Sequence, residues 1–337
     1  MATYKGIQGY TVQKLSSDRA SDAFLGELYY NSGAGKFKVV MAASGSWASA
    51  GTLGSGRYSG SMAKRGTNTA ALFFTGQSYP AAGTEDKTEE YNGSSWSGKN
   101  DLNTGRKNQA AGAGTATSAL CAAGGTPSAS KITEEFDGTC WSEENDMINV
   151  RYSTIGAGTQ TAALCIAGAS PPYTPTTIGL VEDYDGTSWT AGTAINTARA
   201  NAGGGGTQTS AFIAAGTDTS PSPTTAAETW NGSAWTTVGT LNTARSALAG
   251  TGDGSTALAF GGYTGSNSNA TEYYNGSSWS EIADMGTARR SGAGGGAAAT
   301  EGVACGGDMY PASPANPTAL AEKWSGDAFT LKTVTVS

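Results

Sequence analysis

The sequence predicts an all-β chain folded as a β-propeller of six blades. Three observations carry this: a unit that recurs six times between Arg57 and Ser337, a short apolar run inside each unit, and a glycine turn followed at fixed distance by an aromatic. The turns read Asn92-Gly93 ahead of Trp96, Asp137-Gly138 ahead of Trp141, Asp185-Gly186 ahead of Trp189, Asn231-Gly232 ahead of Trp235, Asn275-Gly276 ahead of Trp279 and Ser325-Gly326 ahead of Phe329. Glycine stands three residues before the aromatic every time. From Trp47 to Phe329 successive aromatics lie 49, 45, 48, 46, 44 and 50 residues apart, and periods of about 40 to 50 residues are those of propeller blades. One blade per repeat gives six; taking Trp47 as a further member of the series gives the alternative of seven blades.

Each strand of the unit has its own chemistry. The glycine-rich runs Ala202-Gly203-Gly204-Gly205-Gly206 and Ser291 to Gly296 read as first strands. Strands nearest a propeller axis crowd together, so small side chains are a packing requirement there and not a phosphate cradle. The runs Leu72-Phe73-Phe74-Thr75-Gly76, Leu120–Gly124, Leu164–Gly168, Phe212–Gly216, Leu258–Gly262 and Val303–Gly307 read as second strands covered on both faces. The third strand ends at the Asn-Gly or Asp-Gly pair, which accepts the positive φ angles of a tight hairpin, and the fourth begins at the tryptophan.

This order of glycine-ending apolar strand, Glu-x-aromatic strand and tryptophan strand resembles the kelch repeat over residues 46–337. Its double glycine is complete only at Gly124-Gly125, Gly261-Gly262 and Gly306-Gly307, and the last repeat has Phe329 where the others have Trp96, Trp141, Trp189, Trp235 and Trp279. The resemblance implies a divergent kelch-like propeller.

Two polar columns run through the repeats. Glu89, Glu134, Glu182, Glu228, Glu272 and Glu322 fall at one place in the third strands, and Arg57, Arg106, Arg151, Arg199, Arg245 and Arg289 precede the first strands. A carboxylate within a strand is costly to bury unpaired, so six Glu–Arg contacts clamping the blades together are expected, with backbone amides helping. A sixfold ring of catalytic acids is disfavoured, because chemistry rarely needs sixfold repetition.

Composition narrows the function. The chain has no histidine, which excludes histidine-based nucleophilic catalysis and histidine metal sites. Its net charge is -7, and its longest cationic clusters are Lys64-Arg65 and Arg289-Arg290, so no nucleic-acid footprint exists. No apolar stretch approaches the roughly 20 residues of a membrane helix, and Met1-Ala2-Thr3-Tyr4-Lys5 lacks the apolar region of a secretory signal, so synthesis in a cytoplasm is expected. Cys121, Cys140, Cys165 and Cys305 show no CxxC spacing and read as small hydrophobes. No enzyme activity, cofactor or metal is expected.

Residues 1–45 do not follow the repeat and form a separate segment in which Asp22–Ser32 and Lys36–Val40 read as two strands around the small-residue turn Gly33-Ala34-Gly35. The run Gly26-Glu27-Leu28-Tyr29-Tyr30-Asn31-Ser32 resembles segments of tail-fibre and appendage proteins of tailed bacteriophages, especially marine ones, in which Asn-Gly-Ser-Ser-Trp kelch-like repeats also occur. The resemblance implies a virion component, present in several copies and held to other virion proteins through residues 1–45. The β-prone tail from Phe329 to Val336 is expected to be the outer strand of the last blade, with Trp47–Gly51 pairing beside it to close the ring.

Recognition belongs where connections vary while strands repeat. The connections between second and third strands carry Tyr79, Tyr173, Tyr263 and Tyr310, beside loops holding Asn103, Asn196 and Asn242. Tyrosines among hydroxyl and amide groups can stack on sugars, so host-surface or glycan recognition is expected of this face, the alternative being that these Pro-flanked tyrosines pack their own loops. A connector binding only virion proteins is the first alternative and a carbohydrate-acting enzyme the second.

Overall fold

A computed structural model describes residues 13–16, 28–42, 45–78, 83–125, 128–171, 176–220, 222–309, 317–326 and 329–333. The chain is all-β, with no helix among the described residues, and it forms two compact units: Met1–Ser44 with Asp327–Ser337, and Gly45–Gly326.

Among the described residues the larger unit has six four-stranded antiparallel sheets and one two-stranded ribbon, Ala169–Ser170 with Thr176–Thr177, an architecture compatible with a β-propeller. Sheet I is Ser61–Met62, Ala71–Phe74, Thr88–Tyr91 and Trp96–Gly98. Sheet II is Ala111–Gly114, Ala119–Ala122, Thr133–Phe136 and Trp141–Glu144. Sheet III is Ile155–Thr159, Ala162–Ile166, Val181–Tyr184 and Trp189–Ala191, and sheet IV is Gly203–Gly206, Ala211–Ala214, Ala227–Trp230 and Trp235–Thr237. Sheet V is Ala249–Gly252, Ala257–Phe260, Thr271–Tyr274 and Trp279–Glu281. Sheet VI takes Ala293–Ala298, Glu301–Cys305 and Leu320–Ser325 from the end of the unit and Ser46–Thr52 from its beginning.

Sheet VI corrects the expected closure. Its outer strand is Ser46–Thr52, whose Trp47 lies opposite Trp324. The same cross-strand aromatic pair recurs as Tyr91–Trp96, Phe136–Trp141, Tyr184–Trp189, Trp230–Trp235 and Tyr274–Trp279. Trp47 is therefore the tryptophan missing from the last repeat, in the place assigned to Phe329. The tail strand Phe329–Thr333 instead pairs with Lys36–Ala42 in the other unit. Both candidate strands are β-prone; Trp47 brings an indole that fills the sheet interface, with its ring 4.9 Å from Phe260 of sheet V and its Nε1 donating to Thr271 Oγ1 at 3.0 Å.

The first strands touch in sequence from sheet I to sheet VI, and that of sheet VI touches that of sheet I. Crowding among them explains their composition. A Cβ on Gly112 would run into the Met62 carbonyl, and one on Gly250 would lie 2.8 Å from Gly204 N. Between neighbouring sheets sit wedge-shaped cores, such as Leu72, Phe74, Cys121 and Trp141 between sheets I and II, and Phe73, Tyr91, Val303 and Cys305 between sheets VI and I. Burial pushes the Cys121 thiol up to about 12 and raises those of Cys165 and Cys305, so these cysteines stay protonated at neutral pH.

The smaller unit is one sheet in which Leu28–Asn31 lies between Gln13–Leu15, parallel, and Lys36–Ala42, antiparallel. The hairpin matches the reading of the sequence; the parallel strand has no sequence signal beyond three residues. Tyr29 is fully buried, Asn31 Oδ1 accepts from Ala34 N at 2.9 Å across the turn, and Ser32 donates through N and Oγ to Leu15 O.

Candidate functional site

The glutamate and arginine columns meet as six buried ion pairs. Arg151 Nη2 lies 2.8 Å from Glu182 Oε1, Arg199 Nη2 2.6 Å from Glu228 Oε1, and Arg289 Nη2 2.7 Å from Glu322 Oε1, while Arg106–Glu134 and Arg245–Glu272 pair through the same atoms. Each arginine and its glutamate belong to one sheet, so the guanidinium does not itself bridge two. The bridge is made by the carboxylate, which also accepts from the connection arriving from the preceding sheet: Asn103 N to Glu134, Ile148 N to Glu182, Asn196 N to Glu228 and Asn242 N to Glu272, all at 2.7 Å. Arg57 differs. It lies 3.0 Å from Glu89 but its nitrogens make no aligned hydrogen bond among the described residues, and its guanidinium stacks 4.4 Å from the Phe73 ring centroid. Burial lowers the guanidinium pKa of Arg57, Arg199 and Arg289 without uncharging them.

The arginine backbone does further work. At the end of each second strand two consecutive residues take positive φ: Thr75-Gly76, Ala123-Gly124, Ala167-Gly168, Ala215-Gly216, Gly261-Gly262 and Gly306-Gly307. Ala123-Gly124, and not Gly124-Gly125, is therefore the counterpart of the double glycines. The second residue donates to the arginine carbonyl of the next sheet: Gly76 to Arg106, Gly124 to Arg151, Gly168 to Arg199, Gly216 to Arg245, Gly262 to Arg289 and Gly307 to Arg57, at 2.8–3.0 Å. Only glycine occupies this second place, where φ lies between 92° and 118°.

Immediately beyond this ring, order gives way to variety. The residue after each arginine exchanges two backbone hydrogen bonds with the residue after each of those glycines: Tyr58 with Gln77, Lys107 with Gly125, Tyr152 with Ala169, Ala200 with Thr217, Ser246 with Tyr263 and Arg290 with Asp308. The backbone repeats while the side chains do not. In sheets V, VI and I these side chains form a connected polar cluster. Arg290 donates through Nε at 3.1 Å and Nη2 at 2.9 Å to Asp308 Oδ2, and its guanidinium carbon lies 5.0 Å from the Tyr263 ring centroid. Tyr58 is near enough that its phenol pKa is raised, first by burial and then by the Asp308 charge. Tyr58, Tyr263 and Arg290 are half-buried.

Of the four tyrosines read as ligand contacts, Tyr263 stands in this cluster, and Tyr79, Tyr173 and Tyr310 lie outside the described residues. The expected contacts omitted Tyr58, Arg290 and Asp308. The available signal was the residue following each arginine of the column: Arg289-Arg290 reads as one cationic doublet, yet Arg289 is buried in the ring and Arg290 faces the cluster.

The tryptophans link neighbouring sheets. Trp141 Nε1 donates to Thr88 Oγ1 and Trp189 Nε1 to Thr133 Oγ1, both at 2.9 Å, so each fourth strand holds the third strand of the sheet before it. Where that threonine is replaced the bond changes. Trp96 donates to Ala50 O and Trp235 to Thr193 O, while Trp279, facing a sheet with Ala227 at this place, has no partner for Nε1 among the described residues.

The first strands also line an axial cavity of about 30 Å³, with residues from all six sheets such as Ser61, Gln109, Thr154, Gly203, Ala249 and Gly294. Lys64 enters it. Its Nζ donates to Gly294 O of sheet VI at 2.6 Å, and burial pulls the amine down to about 8.

Against the known protein families and the characterised proteins, the chain matches none.

Proposed function

We propose that the chain is a six-bladed β-propeller that recognises a polyhydroxylated ligand, a surface glycan, through the cluster of Tyr58, Tyr263, Arg290 and Asp308. The observation carrying this reading is the contrast between six equivalent backbone bridges and six different side-chain pairs at one ring of positions. Packing alone has no use for that variety, whereas a binding surface does. The cluster has parts a sugar needs: aromatic faces and a guanidinium for hydroxyl groups, the guanidinium being held in place by the buried Asp308 carboxylate. Six blades are favoured over seven because Trp47 is used within sheet VI and because the Gly307-to-Arg57 hydrogen bond links the last sheet to the first.

We further propose, on the resemblance of Gly26–Ser32 and of the repeats to phage appendage proteins, a virion component with the amino-terminal unit as its attachment to other virion proteins and no enzymatic role. Glycan arrays probed with the full chain should show binding that is lost in Tyr263→Ala and Arg290→Gln with melting little changed. Equal binding by both variants would reject the site. Loss of particle incorporation on removing residues 1–44 checks the attachment separately.

A connector role has its own support. Ile148, Val150 and Leu180 are 55%, 41% and 42% exposed around the Arg151–Glu182 pair, and other repeats carry Asn103, Asn196 and Asn242 in the place of Ile148. Three exposed apolar side chains in one repeat, with Leu320 also 40% exposed at the place of Leu180 in sheet VI, suit contact with another protein. If that role dominates, Ile148→Asn with Leu180→Ala abolishes assembly and the glycan array stays blank.

A further inference from the structure

We infer that the axial cavity holds a small inorganic anion of halide size, bound by the Lys64 ammonium. The repeat is broken in the first strand of sheet I. Counting from the aligned start of each first strand, the place of Lys64 is taken by Gly114, Gly158, Gly206, Gly252 and Gly296 in the other sheets. The neighbouring column is broken in the same strand, where Met62 stands against Gly112, Gly156, Gly204, Gly250 and Gly294. Five sheets bring no side chain to this level, and sheet I brings a cation.

That cation lacks a counter-charge. Among the described residues, Lys64 is the sole ionisable residue lining the cavity and makes no salt bridge. The one titratable group acting on it is Cys305, whose thiol is itself kept protonated by burial. An ammonium has three donors, of which Gly294 O takes one, and Lys64 lines the cavity. Lys64 is half-buried, and a charge withdrawn from water is costly unless paired, so a mobile anion that fits stabilises the folded state. The cavity has room for about two water molecules, which admits chloride or bromide and excludes a sugar or a nucleotide. The site is therefore separate from the rim cluster and stands whether or not that cluster binds glycan.

The pH dependence follows from the depressed amine. Below about 8 the folded protein carries the ammonium at full cost, and as pH rises from there toward the ordinary value of 10.5 the folded state releases a proton that the unfolded chain retains, so stability rises. An anion bound to the ammonium removes that cost at low pH and raises the amine pKa.

The full chain should be melted at constant ionic strength while chloride replaces gluconate, an anion too large for the cavity. Below pH 8 the wild type should gain about 2 °C or more, Lys64→Met should gain nothing, and the wild-type gain should fade as pH rises toward 10. Crystals of the wild type soaked in sodium bromide should give an anomalous peak beside Lys64 Nζ. Equal chloride responses in the two proteins, or a cavity without bromide, would overturn the inference; the bromide measurement decides it even if Lys64→Met does not fold.

Discussion

Two adjacent rings of residues show how one backbone serves two purposes. In the first ring, Arg57 and its five counterparts use backbone and side chain alike: the carbonyl ties to the preceding sheet and the guanidinium to a glutamate of its own sheet. One residue further on, from Tyr58 round to Arg290, the backbone is used just as regularly and the side chains are all but unrepeated. Repetition marks where the fold is held, and its loss marks where the surface is free to vary.

Substitutions can break this contrast. The largest effect is expected from Glu134→Ala, which leaves the fully buried Arg106 unpaired and three backbone donors or guanidinium contacts unmet. A loss of about 3–5 kcal/mol in denaturant unfolding is expected, and a loss below about 1 kcal/mol would show that the buried pairs are not what holds the ring. Trp47→Ala should cost about 3 kcal/mol, since Trp47 supplies both the aromatic of sheet VI and the bond to Thr271; deleting the tail from Lys332 should leave the unfolding of the six sheets unchanged.

Gly307→Ala tests the hydrogen bond between last and first sheets. Its φ is 104° and a methyl would meet Arg290 O at 2.9 Å, so a cost of about 1–3 kcal/mol is expected by thermal melting. In the second ring, Tyr263→Ala should lower stability by about 1 kcal/mol or less while removing glycan binding, and a large stability loss would assign Tyr263 to the fold. Ala227→Thr places a hydroxyl where Thr88, Thr133 and Thr271 already serve a tryptophan. It should raise stability by about 1 kcal/mol by giving Trp279 Nε1 an acceptor.

The repeat made the strand order, the hairpins and the pairing residues Glu89 to Glu322 legible, because each depends on local chemistry or on sixfold recurrence. The candidate site was legible only at Tyr263. Tyr58, Arg290 and Asp308 look unremarkable when each repeat is read alone, since their meaning lies in which sheets become neighbours. Lys64 was visible as a cation but not as the single side chain in a column of glycine, a fact that appears once the strands are in register.

By itself, then, the sequence determined the all-β class, the unit of repetition and the demand that each buried carboxylate find a partner, because periodicity and the cost of burying charge act within one repeat. Tertiary structure alone decided which strand completes sheet VI and which variable side chains share a surface. Trp47 and Phe329 both sit in β-prone runs, and local propensity cannot choose between them; the choice falls to the indole that packs against Phe260 and bonds Thr271 more than two hundred residues away.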